Sequence, residues 1–176
     1  GGGIVRLSKT PSGKKTVLEL MEEAGWQLAN SRGEMAAITH VEQPVYAYSK
    51  GFAGDALDYV NDMDEDDVTL AEYTAKGIEL LDNENGFFMM IEGGKIDWAC
   101  HANDGVSSIV NTIHFDEAIQ EAIAFYNSHP NETLIVVTGD HECGGLTLGF
   151  AGTSYETSFS ILKGQKNSYE YFDTYV

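Results

Sequence analysis

The chain has 176 residues, and its 28 Asp and Glu against 10 Lys and Arg give a formal net charge of -18 at pH 7. This acidic balance excludes a nucleic-acid-binding protein and a protein that docks on anionic membranes, because both need a basic surface. Cations are the natural partners of such a chain, although most of its carboxylates are expected to be solvated surface groups. The 43% share of hydrophobic residues predicts a single globular domain with a proper core.

The chain carries no obvious targeting segment. No apolar run approaches the roughly 20 residues that cross a bilayer, and residues 1–6 have neither the shape nor the length of a signal peptide. We expect a fragment whose export signal lies elsewhere, because the chain opens in a glycine-rich loop and stops at Val176 without a terminating motif. The two cysteines, Cys100 and Cys143, are too few for a disulfide scaffold and do not determine the redox compartment.

The first part of the chain predicts two helices and several short β-prone runs. The opening up to Lys15 is rich in Gly, Ser, Lys and Pro, which indicates a loop. Apolar residues then recur at helical spacing over 14–24 until a glycine ends the pattern. Thr69 is a suitable N-cap for a second helix to about Leu81, with Glu72 at its third position. The β-prone runs lie between these helices, at 26–29, 36–39 and 44–48, with a polar break at 30–33.

Two apparent ligand-binding loops fail their motifs. The acidic segment 62–67 suggests a calcium loop, but an EF-hand counted from its start needs Gly where Asp67 stands and Glu where Tyr73 stands. Residues 3–10 resemble a phosphate-binding P-loop, but Ser8 replaces the second glycine and no strand precedes the segment. We therefore expect neither segment to bind a ligand.

The second part of the chain predicts a βαβ unit. Continuous apolar runs at 87–91 and 134–138 indicate two strands buried on both faces, and a helix over 116–127 connects them. Strands joined in this way are parallel, with a right-handed crossover. From about residue 150 onward the chain is polar and aromatic, and we expect a peripheral segment there.

Residues typical of metal sites follow both predicted strands, where parallel sheets bind their ligands. Asp97 and His101 stand four apart, so a helical turn would place both on one face, and a carboxylate with an imidazole suits zinc. Asp140 and His141 could bind a second cation or reach toward the first. Glu92, directly after the first strand, is a hard oxygen ligand that suits magnesium.

Each of these pairs alone would more often be an ordinary surface pair than a pair of ligands. The metal interpretation rests on their common place, since both groups follow strands of one βαβ unit and should converge at one sheet edge. The other histidines lack a partner at metal-ligand spacing, and we expect them to be solvated or satisfied within the fold; they are His40, His114 and His129.

These motifs resemble the signatures of the alkaline phosphatase family, which have the forms Phe-Phe-(apolar)3-Glu-Gly-Gly-(Lys/Arg)-Ile-Asp-(x)3-His-Ala-Asn-Asp and Thr-x-Asp-His-Glu-x-Gly-Gly-Leu. They stand here at 87–104 and 138–146. The resemblance implies an α/β fold, a truncated three-layer sandwich with a mostly parallel sheet. It would form one partial domain over 1–176, with a metal-ligand core at about 68–150 and peripheral segments at 1–67 and 151–176.

The resemblance also implies roles for the candidate ligands. Glu92 would bind one magnesium ion, Asp97 and His101 would bind one zinc ion, and Asp140 and His141 would bind a second. We expect these oxygen and nitrogen ligands, rather than a thiol, to hold the zinc. The cysteines, one in each motif, should lie close together, with two unpaired thiols favoured over a disulfide.

The activity implied by the resemblance is hydrolysis of phosphate monoesters through a phosphoseryl intermediate, in a homodimeric enzyme that is periplasmic or secreted. Three parts of the family pattern are missing from the chain: the serine nucleophile with its arginine, an early Asp of a Gly-Asp-Gly-Met type, and a His in a Gly-His-Thr context. We therefore assign no catalytic residue and expect this chain alone to be inactive and to bind zinc weakly. The alternatives are a phosphodiesterase or a mutase of the same superfamily, or a non-catalytic metal-binding module.

Overall fold

The structure is a computed structural model that describes residues 15–49, 56–147, 149, 152, 154 and 156–174. The predicted opening loop before Lys15, including its P-loop-like stretch, lies outside the described residues. The chain divides into two compact units, which we call the first unit, Gly1–Asp58 with Asp64–Ile91, and the second unit, Tyr59–Met63 with Glu92–Val176.

The first unit is built on a small parallel sheet. In chain order its elements are α1 (Val17–Glu23), β1 (Gln27–Ala29), α2 (Arg32–Ala37), β2 (Val45–Ala47) and α3 (Leu70–Leu81). The two strands pair in parallel with Leu28 opposite Tyr46, and α2 supplies the crossover that parallel strands require. Its buried core consists of Ala29, Met35 and Val68.

Both predicted helices of this unit are confirmed, and their starts follow from capping. Thr16 and Glu19 form a capping box at α1, in which each side chain bonds to the backbone of the other residue. Thr69 and Glu72 form the same box at α3, which ends at Leu81 as the pattern predicts.

The predicted β-prone run at 36–39 is wrong, because Ala36 and Ala37 belong to α2 and the other two residues have no regular secondary structure. Ser31 caps this helix by accepting a hydrogen bond from the Glu34 backbone N–H. The Glu34 carboxylate in turn accepts one from the Asn30 backbone N–H at 2.8 Å. The polar break at 30–33 is therefore the start of a helix rather than a turn between strands.

The regular secondary structure of the second unit, within its described residues, consists of helices. Its elements are α4 (Gly94–His101), α5 (Gly105–Ser128), a 3-10 helix (Phe159–Gly164) and α6 (Tyr169–Asp173), and α4 packs against α5. Among the described residues, no helix has both the length and the apolar character needed to cross a membrane.

Helix α5 begins about eleven residues earlier than the predicted start at Asp116. Asp104 is its N-cap, and Asp104 Oδ1 accepts a hydrogen bond from the Ser107 backbone N–H at 3.0 Å. The first turns bury polar side chains, with Asn111 Nδ2 donating to the Ser107 carbonyl at 2.7 Å. Apolar residues recur at helical spacing in this half too, at Val106, Ile109, Val110 and Ile113, but Ile109 and Ile113 are exposed. The apolar pattern of this half therefore does not mark its buried face.

The two predicted buried strands are also wrong. Within the described residues the sheet consists of β1 and β2, and the runs at 87–91 and 134–138 have no regular secondary structure. Large apolar side chains in both runs are open to solvent, with Phe88 87% and Leu134 88% exposed. A strand forms only where a neighbouring strand pairs with its backbone, and an apolar run alone does not provide that neighbour. The parallel βαβ arrangement lies instead at 27–47.

Glu72 joins α3 to the rest of the first unit through a charged contact. Its carboxylate accepts hydrogen bonds from Arg32 Nε at 2.6 Å and from the Thr69 backbone N–H at 2.8 Å. Arg32 also donates to the carbonyls of Glu65 and Asp67. The hydrogen bond from Arg32 is the main cause that lowers the pKa of Glu72 from 4.5 to about 2.

This lowered pKa predicts a pH-dependent contribution to stability. A group whose pKa falls on folding stabilises the protein above its unfolded pKa, and this stabilisation is lost as the pH falls through the folded value. We expect Glu72→Gln to lower the free energy of unfolding at pH 7 by about 1 kcal/mol, a figure reduced by solvent screening. The difference from the wild type should shrink as the pH falls from 4.5 toward 2.

Urea unfolding of both proteins across this pH range measures the effect. Glu79→Gln is the matched control, because Glu79 lies on the same helix, is half exposed and pairs with Lys76 at 2.7 Å. Its effect should stay below about 0.5 kcal/mol at every pH. Equal destabilisation by both variants would show that the contact with Arg32 stabilises the protein no more than the ion pair between Lys76 and Glu79 does.

Candidate metal centre

Helix α4 carries Asp97 and His101 on one face. Asp97 lies in its first turn and His101 in its last, so their side chains stand one above the other. His101 Nε2 lies 3.3 Å from Asp97 Oδ1. Both side chains are partly open to solvent, so a cation can reach them. The structure places these two residues as their spacing predicts, and their role as ligands stays a prediction.

The loop over 139–145 brings two further candidates to the same carboxylate. His141 Nε2 lies 3.8 Å from Asp97 Oδ1 and 3.5 Å from Asp140 Oδ2. The ring centroids of His101 and His141 are 5.9 Å apart. Asp97 therefore lies near both imidazoles, and four of the five candidate ligands come together in one group.

The orientation of His141 suits a metal ligand. Its Nδ1 lies 3.0 Å from the Glu142 carbonyl oxygen, and because a carbonyl can only accept, Nδ1 carries the hydrogen. This hydrogen bond, followed by the charge of Asp140, raises the pKa of His141 above its ordinary value. In the neutral ring the lone pair is then on Nε2, the atom that faces Asp97. A ring held by a backbone carbonyl at one nitrogen is the usual form of a metal-binding histidine.

Glu92, the fifth candidate, is not drawn into this group. It is exposed, and among the described residues its carboxylate has no hydrogen bond or ion pair. Its Oε1 lies beside the backbone of Gly94, 3.2 Å from the position that a Cβ would occupy there. Its assignment to magnesium stays a prediction.

The thiol of Cys143 also lies beside Asp97 and His101, although the motifs predict only oxygen and nitrogen ligands there. Its Sγ lies 3.5 Å from the Asp97 carbonyl oxygen. One ligand atom each from Asp97, His101 and Cys143 lie within 4.8 Å of one another, and this is the one such group of three among the described residues. Burial, followed by the charge of Asp97, raises the pKa of the Cys143 thiol. The position of Cys143 close to Asp140 and His141 in the sequence was the signal that could have indicated this placement.

Gly144 holds the loop against α4 by a close backbone approach. A Cβ at this position would lie 2.8 Å from the Cys100 carbonyl carbon and closer still to the carbonyl oxygen. Its φ of +74° also lies in the region that favours glycine. Only glycine therefore allows the loop to rest on the last turn of α4.

The two cysteines are unpaired, as predicted, and both are half-buried. Cys100 Sγ contacts Ser108 Oγ of α5 at 3.2 Å, whereas Cys143 Sγ contacts the backbone of Asp97. The two thiols therefore belong to different environments.

A buried lysine fixes the first turn of α4. The ammonium of Lys95 lies 4.1 Å from the ring centroid of Tyr59 and 4.2 Å from that of Trp98. It also pairs with Glu170 at 3.2 Å. Cation–π contacts and an ion pair offset the cost of burying the charge, and the sequence pattern did not single out this role.

Asp104 fixes the start of α5, three residues after α4 ends. Its two carboxylate oxygens accept hydrogen bonds from Ser107 Oγ at 2.8 Å, Gln165 Nε2 at 2.6 Å and the Tyr169 backbone N–H at 2.9 Å. Burial acts to raise the pKa of Asp104, but these hydrogen bonds outweigh it and lower the pKa. Buried polar contacts thus hold the first turn of α4 and the start of α5.

Comparison with known proteins identifies the relatives of this chain. The alkaline phosphatase family model matches residues 9–175. The chain is 34% identical over 146 residues to the repressible alkaline phosphatase of Saccharomyces cerevisiae, which covers 76% of the chain and 26% of that protein. It is 32% identical over 167 residues to the alkaline phosphatase of Escherichia coli strain K12, covering 80% of the chain and 35% of that protein.

A solved structure supports the same fold. The crystal structure of a cold-active alkaline phosphatase from a psychrophilic Shewanella sp. matches with a TM-score of 0.79 and 32% identity, over 99% of this chain and 41% of that one. This likeness confirms the predicted α/β fold class, a truncated form of the fold of that protein. The chain spans about a quarter to two fifths of the length of these relatives.

The contact of Gly144 with α4 predicts an asymmetry between neighbouring glycines. We expect Gly144→Ala to lower the free energy of unfolding by at least about 2 kcal/mol, because its Cβ would meet rigid backbone as well as carry a positive φ. Gly145 also has a positive φ of +59°, but a Cβ at this position would lie 4.0 Å from the nearest atom, Glu142 Oε1. Gly145→Ala should therefore cost only the backbone strain, about 1 kcal/mol. Urea unfolding compares the variants, and an equal loss would contradict the proposed contact.

Proposed function

Because the chain belongs to the alkaline phosphatase family, we propose that it supplies metal-binding side chains to an enzyme that hydrolyses phosphate monoesters. The observation that supports this proposal is the position of Asp97, whose carboxylate lies within 3.3 Å of His101 and 3.8 Å of His141. Carboxylate and imidazole ligands around a partly open site are the usual donor set of a hydrolytic zinc centre.

The donor set fits the cations that the family resemblance implies. Asp97 and His101 would hold one zinc ion, Asp140 and His141 a second, and Glu92 a magnesium ion. When bound, these ions would polarise the phosphoryl group and activate a coordinated water. The side chains of the chain itself hold the imidazoles in place, since Asp97 faces His101 and the Glu142 carbonyl orients His141.

The negative charge of the chain explains why cations would have to bind before the phosphate ester does. The chain carries a net charge of -18, and the carboxylates of Asp97 and Asp140 both lie within 3.8 Å of His141 Nε2. A phosphate monoester is itself an anion, so these carboxylates repel it in water. Bound divalent cations reverse the local charge, and phosphate binding at this place therefore depends on metal loading.

The substrate class is tested on the complete product of the gene that encodes this chain, purified with zinc and magnesium. We expect hydrolysis of p-nitrophenyl phosphate, and much slower hydrolysis of bis(p-nitrophenyl) phosphate. Asp97→Asn and His101→Ala should each lower kcat/KM at least about 100-fold, because each removes a metal ligand. His40→Gln is the matched control, since the His40 side chain is 73% exposed and its described polar contacts are with the neighbouring Thr39 and Glu42.

Two results would overturn this proposal. Faster hydrolysis of the diester would indicate a phosphodiesterase of the same superfamily. Metal binding without hydrolysis of either ester would indicate a non-catalytic metal-binding module.

We further propose that the 176-residue chain alone is inactive, because it contains no motif for the family nucleophile. Bound cations without a positioned nucleophile lack the transition-state contacts that accelerate the reaction. We expect p-nitrophenyl phosphate turnover by the purified chain to match that of its Asp97→Asn variant, which controls for contaminating host phosphatase. Turnover that disappears in the variant would show that the chain is catalytic by itself.

A further inference from the structure

The thiol of Cys143 lies where a third ligand of the cation held by Asp97 and His101 would be needed. One ligand atom from each of these three residues lies within 4.8 Å of the other two. Ligand atoms around a tetrahedral zinc ion are roughly 3.3–3.8 Å apart, given bonds of about 2.0–2.3 Å. Contraction by about 1 Å would therefore bring the three atoms into one coordination sphere.

We propose that Cys143 binds the cation directly, so that Asp97, His101 and Cys143 form a site with one oxygen, one nitrogen and one sulfur ligand. Such a site selects thiophilic divalent cations, among them Zn²⁺, Co²⁺ and Cd²⁺, over Mg²⁺. In the binding step the sulfur–metal bond forms, the S–H bond breaks, and one proton passes to solvent. The proposal rests on the metal-binding role of Asp97 and His101 stated above.

The position of the thiol is held by its neighbours. Cys143 precedes Gly144, whose backbone rests on the Cys100 carbonyl, and its Sγ already faces the Asp97 carbonyl at 3.5 Å. Asp97 and Cys143 are both half-buried, whereas the His101 side chain is 65% exposed. A cation among the three would keep its outer side open for water or a phosphate oxygen.

The local charge also favours a cation beside this thiol. The carboxylates of Asp97 and Asp140 lie within 3.8 Å of His141 Nε2, and Glu142 follows in the same loop. Use of Cys143 for the first cation would leave Asp140 and His141 available for the second. Cys100 is excluded from this role, because its Sγ contacts Ser108 and does not belong to the group.

Cobalt is the probe, because a sulfur ligand gives Co²⁺ a charge-transfer absorption that oxygen and nitrogen ligands do not. The reduced 176-residue chain is titrated with Co²⁺ without oxygen, at concentrations that saturate a weak site. We expect a near-ultraviolet sulfur-to-cobalt band, reversed by Cd²⁺ and not by Mg²⁺. Cys143→Ser should abolish the band and weaken Co²⁺ binding at least about 10-fold, and the matched control Cys100→Ser should change neither.

A second variant guards against loss of folding. Cys143→His replaces the thiol by another metal ligand, so it should retain Co²⁺ binding without the sulfur band, and far-ultraviolet circular dichroism verifies the fold of each variant. A band that survives in Cys143→Ser, or cobalt binding without a band in the wild type, would overturn the proposal. In those cases loss of Co²⁺ binding in Asp97→Asn would leave the proposed metal role intact. A wild-type chain that binds no Co²⁺ would overturn both.

Discussion

The candidate centre depends on one close backbone contact, between Gly144 and the last turn of α4. This contact places the loop over 139–145 on the helix that carries Asp97, and so brings His141 to within 3.8 Å of that carboxylate. A side chain at position 144 would push the loop outward, because the opposing atoms are backbone and cannot rotate away. The candidate metal ligands therefore come together because two main-chain segments fit closely, and not because the side chains attract one another.

The buried residues of the second unit, within its described part, are mostly polar. Apart from Tyr59, the buried side chains among its described residues are small or polar, and they include Lys95, Asp104 and Ser107. Each of these groups is paired: Lys95 with two aromatic rings and a carboxylate, and Asp104 with several donors. Buried polar groups with directed partners allow fewer alternative arrangements than an apolar core does, which explains how a short helix can hold its ligand face in one orientation.

Local chemistry made part of this structure predictable from sequence. The capping residue Thr69 predicted the bounds of α3, and the four-residue spacing predicted the common face of Asp97 and His101. Features that depend on distant neighbours were not predictable. The apolar run that contains Phe88 has no strand partner among the described residues, and the role of Gly144 follows only from the position of the Cys100 backbone. A sequence pattern shows which side chains are apolar enough to be buried, whereas contacts with distant residues determine which of them are buried.

Charge connects the composition of the chain to the chemistry of the centre. A chain with a net charge of -18 repels phosphate, so in the proposed enzyme the attraction of an anionic substrate would depend on bound cations. The ligand atoms would decide which cations bind. A thiol among these atoms would shift that preference from magnesium toward zinc. In this proposal Cys143 would affect phosphate recognition without touching phosphate, because it would determine which cation stands between the substrate and Asp97.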